Sequence, residues 1–133
     1  MGKRFWLGVA AYIVPTFPLG YLWHLVVFAP SYQSLQVYRS DVIIPLGLLS
    51  MFVQAAILSW LYPRVAENLG SGWLRRGLMF ALGAGLFAWS LSTIAVAAKH
   101  VMASVPLYLA LETAFTLVQY AIVGPLIALA HRR

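Results

Sequence analysis

Four long apolar runs, residues 5–29, 42–63, 77–98 and 105–130, take up most of the 133-residue chain and constrain it more than any other feature. A bilayer core about 30 Å thick needs roughly 20 apolar residues per helix, and each run reaches that length. Backbone amides in lipid must find partners within their own segment, so the runs are expected to be helical. Composition agrees. With 62% hydrophobic and 9% charged residues the chain has too little polar surface to cover a soluble globule of this size. The expected fold class is therefore all-α: a polytopic membrane protein whose residues 1–133 form a single domain of four transmembrane helices, arranged as two antiparallel hairpins.

The cations set an orientation. If every run crosses the bilayer, Lys3, Arg4, Arg64, Arg75, Arg76, Arg132 and Arg133 share one face, and only Arg39 and Lys99 lie on the other. The positive-inside rule makes the first face cytoplasmic, with both termini on it. The formal charge of +6 then belongs to helix ends meeting anionic headgroups. The partners expected are membrane lipids and a second copy or a larger membrane complex, with no nucleic acid. The first run has the basic start of a signal peptide but is too long and lacks a small-residue cleavage site, so it is expected to remain as a span. The absence of cysteine removes disulfides, thiolate ligands and cysteine nucleophiles from consideration.

The connections differ in character. Residues 30–41, with Tyr32, Tyr38, Arg39 and Asp41, have room for an interfacial turn of helix held by its tyrosines, and Asp41 is placed to cap the second helix. Asn68-Leu69-Gly70-Ser71-Gly72 is a breaker cluster between the hairpins. Ser104 and Pro106 offer a cap and a first-turn proline for the last helix. A faint tandem repeat relates the halves: Trp23 falls 66 residues before Trp89, and Val53-Gln54 falls 65 before Val118-Gln119. Such halves would be related by an axis along the membrane normal. Gly77, Ala81, Ala84, Gly85 and Ala88 give the third helix a surface suited to close packing.

Polar residues recur at helical spacing on each run. Tyr12, Thr16, Gly20 and His24 line one face of the first; Gly47, Ser50 and Gln54 one face of the second; Gly85, Trp89, Ser92 and Thr93 the third; and Tyr108, Glu112, Thr116 and Gln119 the fourth. Polar groups facing lipid cost several kcal/mol each when unsatisfied, roughly enough to turn all four stripes inward. They define an outward-facing polar pocket of Glu112, His24, Trp23, Ser92, Thr93, Tyr108, Thr116, Gln119 and Gln54. For Ser, Thr and Gln the plain alternative is interhelical hydrogen bonding that holds a bundle together without a ligand.

Glu112 stands apart, because an ionisable group within a span is by default a functional-site hypothesis. At about 1.5 Å per residue it lies roughly 10 Å below the start of its helix, level with Trp23, His24, Ser92 and Thr93. His24 is its expected partner, with Lys99 able to reach down from above. Three readings follow. The carboxylate is a static, paired group that orients helices; or it carries a proton in exchange for a transported molecule; or His24, His100 and Glu112 ligate a metal ion. Haem held by His24 and His100 is a variant of the last. No Ser-His-Asp spacing, HExxH motif or phosphate-cradling glycine loop is present, so an enzyme is not expected. The leading expectation is a non-enzymatic binding or accessory protein, followed by a small proton-coupled transporter or channel and then by a metal- or haem-binding protein. The residues alone name no cofactor.

The sequence from Gly20-Tyr21-Leu22-Trp23-His24, through Tyr38-Arg39-Ser40-Asp41 and Ala97-Ala98-Lys99-His100, to Glu112-Thr113-Ala114-Phe115 resembles a group of small uncharacterised bacterial four-span inner-membrane proteins. That resemblance implies a fold and an address but no activity. The small multidrug exporters are not similar, since their essential Glu lies in the first span, where this chain has none.

Overall fold

The computed structural model describes residues 2–132. Among them helix is the only regular secondary structure, and four helical stretches are long and apolar enough to cross a membrane: Lys3–Val27, Ile44–Leu69, Trp73–Lys99 and Val105–Ala130.

The first span is helix α1 (Lys3–Leu22) continued by a π-helical segment, Trp23–Val27. It runs through Pro15 and Pro18 and ends at Phe28. Ala29 then opens a separate short helix, α2 (Ala29–Leu35), with Pro30 in its first turn, where a missing amide costs nothing. Gln36, in the left-handed region at φ 58°, ends it. The second span is α3 (Ile44–Val65) with a 3₁₀ turn, Ala66–Leu69. It begins two residues later than its apolar run because Asp41 does not cap it; the N-cap is Ile43, and Asp41 instead pairs with Arg39 at 3.0 Å through both carboxylate oxygens. The third span is α4 (Trp73–Trp89), a second π-helical segment, Ser90–Ile94, and α5 (Ala95–Lys99). Its start at Trp73, directly after Gly72 at φ 81°, takes Arg75 and Arg76 into the first turn, where the apolar run alone had placed them in a loop. The fourth span, α6 (Val105–Ala130), is capped as expected: the Ser104 hydroxyl accepts from the Leu107 amide.

Residues 2–4, 66–72 and 131–132 lie at one end of the bundle, here the proximal end; residues 28–43 and 100–104 lie at the distal end. Contacts between α1 and α3 step down one helix as they step up the other. Ser59 donates to the Phe5 carbonyl at 2.7 Å, Tyr12 bonds Gln54, and Gly20 approaches Met51. The α4/α6 seam is the tightest. A Cβ on Gly77 would lie 2.8 Å from the Pro125 Cα and 2.9 Å from the Gly124 carbonyl, and one on Gly124 would collide with Gly77 and Ala81. Gly85 sits against the Tyr120 ring. Small residues thus let backbones meet where lipid offers no other driving force. Helix α6 also packs along α1 and forms the centre of the bundle.

The second and third spans do not pack in this way. They meet near the proximal end, where the Tyr62 and Phe80 rings are edge-to-face at 5.2 Å within the core cluster of Val9, Tyr12, Ala55, Val123 and Ile127. Alongside that contact, from Val65 and Leu69 at the proximal end to Gly47 and Leu91 toward the distal end, a groove of about 1770 Å³ runs between them. Gly47 on one wall and Gly83 on the other have no atom within 4 Å of where a Cβ would stand. A two-fold relation between the halves would pack the second span on the third as the fourth packs on the first. The packing lacks that symmetry, although each half carries one π-helical segment that begins at or beside a tryptophan, Trp23 in the first and Trp89 in the second.

Candidate functional site

The distal end of the groove closes on Glu112, which is 6% exposed and receives three groups on one oxygen. His24 Nε2 stands 3.0 Å from Oε1, the Tyr32 hydroxyl donates to it at 2.7 Å, and the Tyr38 hydroxyl at 3.3 Å. Each partner is delivered by a local feature of the fold. His24 lies in the π-helical segment of the first span, a type of distortion frequent at functional sites. Tyr32 lies on α2, held down by the Ala103 amide donating to the Leu35 carbonyl at 3.0 Å. Tyr38 follows the left-handed turn at Gln36, which reverses the chain back over the site.

The proton inventory of the pair follows from the hydrogen bonds. A carbonyl only accepts, so the His24 Nδ1, 3.0 Å from the Gly20 carbonyl, must carry a proton. The remaining nitrogen then faces Glu112 either as a second N–H, with the carboxylate ionised, or as a lone pair, with the carboxyl protonated. In both arrangements one proton lies between Nε2 and Oε1, and the pair is neutral overall. Tyr32, which is outside the spans, stays a neutral donor: burial, and next the hydrogen bond to Glu112, push its phenol well above the ordinary range.

A second polar layer lies deeper along the same groove. Gln119 donates to the Tyr12 hydroxyl at 3.1 Å, Tyr12 donates to the Gln54 side-chain oxygen, and Gln54 donates to Ser50 at 2.9 Å. Between the layers sits Thr16, 2% exposed, whose hydroxyl has no protein partner and which lines the groove. Thr116 is used internally, returning its hydroxyl to the Glu112 carbonyl at 2.8 Å.

The other expected pocket residues take supporting places. Trp23 donates from Nε1 to the Tyr32 hydroxyl at 3.2 Å and packs on Phe28 and Phe115. Tyr108 stands beside Tyr38 but donates its proton to the Ser92 carbonyl at 2.8 Å. The Ser92 hydroxyl turns back to the Ala88 carbonyl, and Thr93 is fully buried without a partner.

The metal constellation is not assembled. Among the described residues no three His, Asp or Glu side chains gather, and His100 is exposed, its Nδ1 spent on the Val96 carbonyl at 3.2 Å. Its place at the end of α5 keeps it above the site, so the structure brings together neither the expected trio of His24, His100 and Glu112 nor the haem pair of His24 with His100. Lys99 likewise forms no ion pair with Glu112; among the described residues only His24 does. Tyr32 and Tyr38, expected as interfacial anchors, are instead the principal donors to the carboxylate. Nothing periodic could have shown this, because a seven-residue helix and a reversed chain carry no repeating pattern. Family models, curated proteins and solved structures give no match to this chain.

Proposed function

We propose that this is a non-enzymatic binding protein of a bacterial inner membrane, akin to the small four-span proteins its sequence resembles, with both termini cytoplasmic and the Glu112 end of its groove facing outward. The groove between the second and third spans holds one amphiphilic molecule, its apolar part along the spans and its polar head at Glu112. The cation distribution supports the orientation. One observation carries the binding reading: two walls lined by Leu46, Met51, Ile57, Met79, Phe87 and Leu91 stand apart and lead to a layer of buried polar groups. An apolar cleft with a few convergent polar groups is the usual form of a small-molecule site.

The test uses the bare glycine on the third span. Gly83→Trp puts a bulky ring into the groove from a position whose Cβ would meet nothing within 4 Å, so the protein is expected to fold as the parent does. Native mass spectrometry after extraction in mild detergent should show the parent retaining an amphiphile and the variant losing it. A parent that carries nothing, or a variant that retains the same molecule, contradicts the proposal. Retention of a second protein copy that Gly83→Trp displaces would make the groove a dimer interface instead.

A further inference from the structure

We infer that the head this groove selects is a monocationic ammonium, and that its binding expels the proton shared by His24 and Glu112. The inference rests on the binding role of the groove proposed above and adds the chemistry of the ligand and its dependence on pH.

Three observations lead to it. The first is the ring arrangement over the carboxylate. Tyr32 and Tyr38 have centroids 5.4 Å apart, His24 lies 4.7 Å from Tyr32 and 6.1 Å from Tyr38, and Phe115 lies 4.7 Å from His24. The Tyr32 and Tyr38 rings reach the carboxylate by their hydroxyl edges, and aromatic rings beside a carboxylate suit alkylated ammonium groups, which are attracted by a ring quadrupole and need no hydrogen-bond acceptor. The second is charge. Around Glu112, α1 and its π-helical end contribute His24; α2 and the segment after it contribute Tyr32 and Tyr38; α6 contributes Tyr108; and the third span contributes Lys99 at its distal end, with His100 just beyond, neither paired with the carboxylate. At the mouth Arg39 is neutralised by Asp41. Among the described residues no Lys or Arg is paired with Glu112, so once the His24–Glu112 pair gives up its proton the site carries one negative charge, which a cationic head neutralises and an anionic head would meet as repulsion. The third is Thr16, a residue of the groove wall between the two polar layers, whose buried hydroxyl has no protein partner.

The balance of the step is simple. The His24–Glu112 pair holds one proton and is neutral, by the geometry of Nδ1 on the Gly20 carbonyl. An ammonium arriving with one positive charge leaves the site neutral only if that proton departs to water at the distal mouth, with His24 uncharged and Glu112 ionised. No bond other than that to the proton is made or broken. One cation therefore enters for one proton released, and the apparent affinity rises about tenfold per pH unit wherever the unoccupied pair retains its proton.

The experiment uses the full chain in nanodiscs of zwitterionic lipid, with empty nanodiscs as blanks. Dodecyltrimethylammonium and the uncharged dodecanol are titrated calorimetrically in two buffers of different ionisation heat at several pH values. The expected result is saturable binding of the cation with about one proton released per molecule and about a tenfold gain per pH unit, while dodecanol binds more weakly and independently of pH. Glu112→Gln should abolish proton release and cation preference; should that variant fail to fold, the proton count of the parent decides alone. Dodecanol and the cation binding equally, or the cation binding without proton release, would overturn the inference while leaving the groove a binding site, provided Gly83→Trp blocks both. Binding of both probes unaffected by Gly83→Trp, or absent from the parent, would overturn the groove reading and this inference with it.

Discussion

The seam between the third and fourth spans and the gap between the second and third are built from the same small alphabet, yet one is closed and the other open. At the seam, glycine is matched by glycine: Gly77 and Gly124 bring two backbones into contact, and Ala81 and Ala128 complete the surface. Across the gap, glycine faces nothing. Gly47 and Gly83 meet nothing across the gap but share it with Leu46, Leu48, Ile57 and Phe87, all exposed. A glycine therefore closes an interface only when its counterpart is also small; a lone one among large side chains leaves a hollow. Burial follows the same division, with ten buried residues on α6 and three on α3, so the fourth span organises the bundle and the second forms a loosely held wall.

The comparison can be broken most severely at the seam. Gly124→Leu must push Gly77 and Ala81 away, and overpacking of this kind costs about 1–3 kcal/mol or more, so thermal stability in detergent should fall sharply. Gly47→Leu, with open space around its Cβ, should leave stability nearly unchanged. Equal losses from the two would mean that the gap is as tightly packed as the seam.

Next in size is the polar end of the gap. Glu112→Ala strands His24 and Tyr32 and should cost about 1–3 kcal/mol per buried group left without a partner. Glu112→Gln keeps an acceptor for Tyr32 and should cost less than about 1 kcal/mol. If the two variants lose the same stability in a thermal melt, hydrogen bonding is not what holds this layer, and the contrast with the dry seam disappears.

The smallest effect belongs to the rim. Arg39 holds the Asp41 carboxyl below its usual value. A depressed carboxylate favours the fold above the ordinary aspartate range near pH 3.9, and that contribution fades as pH falls through the depressed value. Because both side chains are open to water, Asp41→Asn should change stability only slightly at neutral pH, and the difference from the parent should vanish in acid. A large difference persisting in acid would show that Asp41 has another role.

Much of this architecture is legible in the sequence, for identifiable reasons. Length and hydropathy show four spans because the bilayer imposes one solution on an apolar run, and the polar stripes of the first and fourth spans point to the Glu112–His24 pair because helical spacing is rigid. The bond between Tyr12 and Gln119 of the same stripes is read only from the structure. Helix boundaries shift where capping is local: Gly72 starts the third span ahead of its cations, and Asp41 prefers Arg39 to the end of α3. Partners that depend on loop conformation stay hidden. Tyr38 reaches Glu112 only through the reversal at Gln36, and a positive φ at a glutamine leaves no mark in composition. The openness of the gap is hidden too, since stripes that turn inward do not say which pairs of helices touch.

The most direct measurement exploits the absence of cysteine. In a Gly47→Cys/Leu91→Cys variant the two thiols stand on opposite walls toward the distal end of the groove. A disulfide needs Cα atoms closer than about 7 Å. With the second and third spans apart, oxidation in native membranes should give no intramolecular disulfide, while a long flexible bis-maleimide should join the two thiols. Rapid, complete disulfide formation in the ligand-free protein would show that the spans pack against each other and would contradict the account.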